Sequence, residues 1–230
     1  MRNILAYAIV MSALQILPVA GQTASGDASV RFNLLTYEGL VVSDIFVFDQ
    51  AYAEKHGAPV PAPFALKVPK DPSILRIADA RPDGGALVKF TFGLEQDGHR
   101  TFLENLQIAS ATLPFYADRE DPAETRIRAA VHLARDQIFP RAVAGFDAPK
   151  VLAVEQVVLG SVPDAVHLIA SYTDPSVGPM LLRIVVLPHP RQEASLFVVS
   201  NINLTLVPVT DGATLARSLT GRVLASWDYR

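Results

Sequence analysis

The chain of 230 residues contains no cysteine. That excludes disulfides, thiolate zinc sites, iron–sulfur clusters and a cysteine nucleophile. It also excludes lipoprotein anchoring, which needs a cysteine just behind the leader. Charge is scarce as well, at 19% of residues, with 20 basic side chains against 23 acidic ones. No basic run or excess marks a nucleic-acid footprint. Half of the residues are hydrophobic, too many for a disordered or solvating tail. Catalytic signatures are missing too: there is no Gly-x-Ser-x-Gly elbow, no His-Glu-x-x-His helix and no Walker loop.

What is present begins with a leader. Arg2 precedes an apolar run from Ile4 to Met11, continued by Leu14, Ile16 and Leu17, with Ala20, Gly21, Ala24 and Ser25 behind it. One positive charge, a short apolar core and a small-residue exit form the order of a secretory signal peptide. Val19 at the −3 place favours a cut after Gly21, so residues 1–21 are expected to be removed. The competing reading is a retained anchor. Residues 4–20 fall short of the roughly 20 needed to span a bilayer, and Ser12 and Gln15 interrupt them. No later segment is long and apolar enough to cross, so no membrane span is expected after cleavage. The expected address is periplasmic or secreted, reached by a bacterial Sec-type route. Without disulfides, the exported protein has to be held by its core alone.

Behind the leader, residues 22–60 read as an N-terminal segment with short strands, among them Ile45-Phe46-Val47-Phe48, too short for a helix and rich in strand formers. Ala51 to Pro63, punctuated by Gly57, Pro59, Pro61 and Pro63, is expected to be an extended connector with no helix. Residues 61–230 read as a single domain. Phe64 to Val68 alternates and stops at Pro69. Asp83-Gly84-Gly85 and Gln96-Asp97-Gly98-His99 are turn signals around a run in which Val88, Phe90 and Phe92 share a face, and Leu106 to Leu113 suggests the next strand. Asp121, Pro122 and Glu124 open a helix that buries Ile127, Val131, Ala134 and Ile138 and is expected to end at Pro140. Glu124–Arg128 suits an exposed ion pair, and His132, beside the apolar stripe with Asp136 four residues on, reads as a residue at the border between the buried and exposed sides of the helix. Strand-like runs follow at Val151 to Leu159, Ala165 to Tyr172, Met180 to Leu187 and Leu196 to Val209, with short turns that favour antiparallel hairpins. Several are apolar on both faces, so both faces of the sheet are expected to be covered. Asp211 caps a last helix carrying Leu215, Leu219 and Val223, which Gly221 weakens by about 1 kcal/mol. The expected class is α+β, an antiparallel sheet flanked by a mid-chain and a C-terminal helix.

In its opening Phe64-Ala65-Leu66-Lys67-Val68-Pro69, its helix after Asp121, its antiparallel run from Val151 and its closing helix near Ser226-Trp227, residues 62–230 resemble the PsbP-like superfamily of small exported α+β domains. The likeness is one of element order. Asp71-Pro72 stands where such domains often carry a tryptophan.

Chemistry-bearing residues are few. The five histidines, His56, His99, His132, His167 and His189, stand far apart, so no metal site is readable. Asp118, Glu120, Asp121 and Glu124 lack the glycine and closing glutamate of a calcium loop, and a helix start explains them. Asn203-Leu204-Thr205 matches a glycosylation acceptor and reads as an accident within a strand. His189, between Pro188 and Pro190, reads as an exposed turn residue. His167 sits in a strand among Val166, Leu168 and Ile169, where a buried imidazole needs a partner. Arg183 interrupts the apolar strand next along the chain. If the two strands form a plain hairpin, His167 and Arg183 lie near each other, and a shared face would make a small polar pocket for an anion or carboxylate. The competing view has Arg183 snorkelling to the sheet edge.

These observations favour a non-enzymatic exported module for binding or assembly, whose partner is another envelope protein; residues 22–60 either cover the second face of the sheet or form the part that meets the partner. No catalytic residue, cofactor or metal is assigned. The alternative is a small-molecule hydrolase whose residues, from among His99, His167, Ser171 and Asp174, meet only in the fold.

Overall fold

Strands with alternating apolar residues need a partner for each buried face, and the chain supplies one on both sides of a single large sheet. The computed structural model describes residues 42–60, 62–71, 74–79, 86–96, 99–115 and 122–230. The leader, Asp118, Glu120, the cap at Asp121 and the turn at Asp83-Gly84-Gly85 lie outside the described residues. Seven strands form the main sheet: β3 (Leu75–Asp79), β4 (Ala86–Gln96), β5 (His99–Thr112), β6 (Asp147–Leu159), β7 (Val162–Asp174), β8 (Gly178–Leu187) and β9 (Ala194–Asn203). Their order is β3-β4-β5-β9-β8-β7-β6, and every pairing is antiparallel. The α+β class read from the sequence is borne out.

The inner face of this sheet meets a second layer. β1 (Val42–Phe48), β2 (Phe64–Pro69) and β10 (Asp228–Tyr229) form a small sheet ordered β1-β2-β10. Between β1 and β2 the first half of the expected extended connector is instead helix α1 (Gln50–His56), because its prolines begin only after Gly57. The helix is capped by Asp49, whose carboxylate accepts from Tyr52 N at 2.9 Å, and it ends at left-handed Gly57. β1 reaches across the proline-rich connector to pair with β2, Phe46 opposite Leu66 and Phe48 opposite Phe64. Phe48 stacks on Phe64 at 5.2 Å and Phe64 on Trp227 at 4.7 Å. These rings close over Val88, Phe90, Phe92, Leu106, Val185 and Val198 of the main sheet. Each fully buried ring contributes about 2–3 kcal/mol, which is how a cysteine-free chain is held.

The C-terminus is fastened to the turn between β6 and β7. Ser161 N donates to Trp227 O at 2.9 Å. A Cβ on Gly160 would lie 2.0 Å from that same carbonyl oxygen, and φ there is +54°. Only glycine allows both the left-handed backbone and the close approach.

The other face of the sheet packs against the mid-chain helix, so both faces are covered as expected. Helix α2 (Pro122–His132) contacts β7. Ala130, Ala134 and Ile138 sit over Val166, Leu168, Ala170, Leu182, Ile184 and Val186. The helix does not stop at Pro140. It widens into a π turn over Leu133–Ile138, where Phe139 N donates to Ala134 O, and continues as α3 (Phe139–Ala142). A proline lacks the amide hydrogen and crowds the carbonyl four residues back. The wider turn removes the need for that bond. On the exposed side, Arg128 pairs with Glu124 at 3.1 Å and His132 with Asp136 at 2.7 Å.

Three further expectations change in the structure. The last helix is two, α4 (Gly212–Arg217) and α5 (Leu219–Ala225), broken at Ser218. Gly221 lets them meet: a Cβ there would lie 2.2 Å from Leu215 O. β9 ends at Asn203, whose buried amide donates to Phe102 O at 3.2 Å while its carbonyl accepts from Thr205 N at 3.0 Å. His189 is buried, not exposed. Its ring packs edge-on to Tyr229 at 4.6 Å and its Nδ1 accepts from Arg191 N at 3.1 Å.

Candidate functional site

Two polar groups stand out, one on each face of the main sheet. The first contains His167 and Arg183. In the β7–β8 register, His167 faces Val185 and Ile169 faces Arg183, so the two polar residues share the inner face one diagonal step apart. Arg183 Nε donates to His167 Nε2 at 3.1 Å. An imidazole nitrogen that accepts is bare, so the ring proton sits on Nδ1. That nitrogen faces Glu155 Oε1 at 3.6 Å, too long for a hydrogen bond. Across β9, Ser200 stands opposite Arg183, and Glu104 of β5 stands opposite Ile202. Glu155, His167, Arg183, Ser200 and Glu104 thus make a polar diagonal over five strands of an otherwise apolar face.

Glu104 ends that diagonal and has no exposed surface. Its Oε1 accepts from Leu219 N at 3.0 Å and its Oε2 from Thr220 N at 2.7 Å. Ser218 Oγ accepts from Gly221 N at 3.0 Å. The first three amides of α5, which have no partners within the helix, are therefore all met. Burial pushes the Glu104 pKa up, against the hydrogen bonds from Thr220 and Leu219 and the charge of Arg183. Burial also lowers Arg183 to about 10, opposed by Glu104. His167 falls to about 3, through burial first and the Arg183 charge second, so it is neutral at physiological pH. Arg183 Nη1 and Ser200 Oγ are buried without a protein partner.

The hydrolase set is not assembled among the described residues. His167 and Ser171 lie four residues apart on one strand, about 13 Å by strand rise. The Asp174 carboxylate accepts from Ser176 N at 2.8 Å, Ser176 Oγ at 2.6 Å and Val177 N at 3.2 Å, all in its own turn. The His99 side chain lies outside the described residues. Among the described residues, no three His, Asp or Glu side chains form a group able to hold a metal.

The second polar group is on the helix side. Because Val88, Phe90 and Phe92 point inward, Lys89 and Thr91 point the other way. The register then sets Arg76, Thr91, Asn105 and Asn201 in one row across β3, β4, β5 and β9, with Lys89 and Gln107 opposite each other in the next. Tyr172 Oη donates to Asn201 Oδ1 at 3.0 Å. Asn201 donates its backbone N–H and its Nδ2 to Asn105 Oδ1, at 3.3 and 3.0 Å. A backbone amide can only donate, so the Asn105 oxygen is fixed toward Asn201 and its Nδ2 turns away. Lys89, Thr91, Asn105 and Gln107 are partly exposed, and Arg76 is exposed. Burial lowers the Lys89 pKa, and among the described residues no carboxylate acts on it. The sequence held a signal for this group in the alternation of Lys89 and Thr91 with the buried phenylalanines. Register alone aligns it with Asn105, Gln107 and Asn201.

No protein-family model matches the chain, and no curated protein matches it in sequence. Among solved structures, it is similar to cyanobacterial PsbP from Synechocystis, at 14% identity and a TM-score of 0.45, covering 84% of this chain and 96% of that one. It is also similar to the Ran-binding protein Mog1p of Saccharomyces cerevisiae, at 12% identity and 0.36, covering 80% and 88%. A third is LpqN of Mycobacterium tuberculosis, a protein involved in cell envelope biogenesis, at 11% identity and 0.35, covering 72% and 90%. The resemblance to PsbP-like domains read from element order is met by the first of these. At such identities and scores the likeness places the chain in no family and assigns no residue a role.

Proposed function

We propose that the protein is an exported, non-enzymatic binding or accessory module of the bacterial periplasm. Its partner is another envelope protein, which docks on the polar rows of the helix-side sheet face. The carrying observation is the asymmetry of that face. Asn105 is held in one orientation by Asn201 and Tyr172, while Lys89 beside it has no acidic neighbour among the described residues. Groups fixed in place and left with hydrogen-bonding capacity are what a recognition surface supplies. Export rests on the leader of residues 1–21. In the same proposal, His167 and Arg183 serve the fold: Arg183 donates to His167 and its charge favours the carboxylate of Glu104, which holds α5 to the sheet.

A photoreactive residue at Gln107, expressed in the exporting cell, tests the docking face. A discrete adduct with one envelope protein is expected there and not from the same probe at Leu152, an exposed position on edge strand β6. Equal labelling from both positions, or none from Gln107, overturns the reading.

A further inference from the structure

Resting on the docking face just described, we infer that the group it receives is a carboxylate carried by the protein partner, seated on Lys89 and the Asn105 amide. The inference comes from the donor set. Lys89 contributes an ammonium with three donors and no acceptor. Asn105 has its oxygen occupied twice by Asn201, so what remains is its Nδ2 donor pair. Gln107 faces Lys89 across the β4–β5 ladder, and Thr91 faces Asn105, which adds an amide and a hydroxyl within one residue of each other. Arg76, on β3 opposite Thr91, adds a second positive charge at the exposed margin.

The charges acting on Lys89 point the same way. Its pKa is moved by burial with no acid among the described residues contributing, whereas Arg126 and Arg183, the buried arginines, each have acidic neighbours within the fold. A half-buried cation lacking an internal counter-ion gains most from an anion brought by a ligand. A neutral amide ligand satisfies the donors of Asn105 but leaves the ammonium charge unmet. A phosphate is a poorer match, because the site offers one ammonium and no guanidinium fork in its interior.

The test is an NMR titration of the purified exported protein with acetyl-Gly-Glu-Glu-Gly-amide and with its glutamine counterpart, acetyl-Gly-Gln-Gln-Gly-amide. The glutamate peptide is expected to shift the Asn105 side-chain amide and the backbone signals of Lys89, Thr91 and Gln107. The glutamine peptide should bind at least about tenfold more weakly, the factor that corresponds to a charge-assisted hydrogen bond. Lys89→Met should bring the glutamate peptide down to the level of the glutamine peptide, and Lys89→Arg should restore binding. If both peptides shift the same signals equally and Lys89→Met changes nothing, carboxylate recognition is wrong while the docking face stands. If the glutamate peptide shifts no signal of this face, carboxylate recognition is likewise wrong. An adduct at Gln107 in the cell then decides separately whether the docking face survives.

Discussion

On the inner face of the main sheet, Glu104, His167 and Arg183 lie under two helices and a second sheet, each at least 95% buried. On the helix-side face, Lys89, Thr91, Asn105 and Gln107 sit in rows of the same strands and remain partly exposed. Both groups are built from cross-strand polar neighbours. They differ in whether the chain supplies the complement. Glu104 finds the amides of α5 and the field of Arg183, so the inner group is occupied by the protein itself and serves its cohesion. Lys89 finds no acid among the described residues, so the outer group retains its capacity for a partner. A buried charge without complement destabilises by several kcal/mol, while a partly exposed one is relieved by water. Only the outer group can remain unfilled in a stable protein.

That comparison breaks most visibly at Glu104. Glu104→Ala leaves Leu219 N and Thr220 N buried without an acceptor and removes the negative charge that favours buried Arg183, and a loss of about 3–5 kcal/mol is expected in urea unfolding. A loss under 1 kcal/mol would show that the diagonal does not hold α5. Next is Gly160→Ala, which drives a methyl group into Trp227 O and strains a left-handed backbone, with an expected loss of about 2–3 kcal/mol. It touches neither polar group, so it calibrates what loosening the C-terminal layer alone does.

A pH series sharpens the contrast between the faces. Below pH 6.5 the unfolded chain protonates His167, whereas the folded protein refuses that proton until about pH 3. Stability is therefore complete above pH 6.5 and falls as pH drops, by about 1.4 kcal/mol at pH 5.5 from this residue. The raised pKa of Glu104 acts in the opposite direction, so the measurement is the difference between the wild type and His167→Gln across that window. An identical slope in both would remove the neutral, buried histidine from the account. Tyr172→Phe leaves Asn201 Oδ1 without its donor, and about 1 kcal/mol is the expected loss. Smallest is Lys89→Met, for which stability should stay within about 0.5 kcal/mol while binding of the glutamate peptide is lost. A large destabilisation would mean that Lys89 is a structural cation after all.

Much of the inner face was readable from the chain. Val88, Phe90 and Phe92 announce one buried side by alternation, and His167 and Arg183 stand out because each interrupts an apolar strand. Their contact depends on a register that a hairpin loop leaves open by one residue, and one residue reverses the face. Glu104 carried no mark, because its partners, Leu219 and Thr220, are more than a hundred positions away. The break at Ser218 was hidden by the even spacing of Leu215, Leu219 and Val223, which continues through it. His189 looked like a loop residue between prolines, and only Tyr229, returning from the far end of the chain, buries it.

Local composition by itself determined that this protein would be cysteine-free, built of antiparallel strands with helices in mid-chain and near the C-terminus, and held by apolar packing, because alternation, caps and turns act over a few residues. The three-dimensional arrangement decided which polar side chains would be neutralised and which left over. That outcome depends on strand order and on what is stacked above each face, and electrostatic complement is a property of neighbours in space.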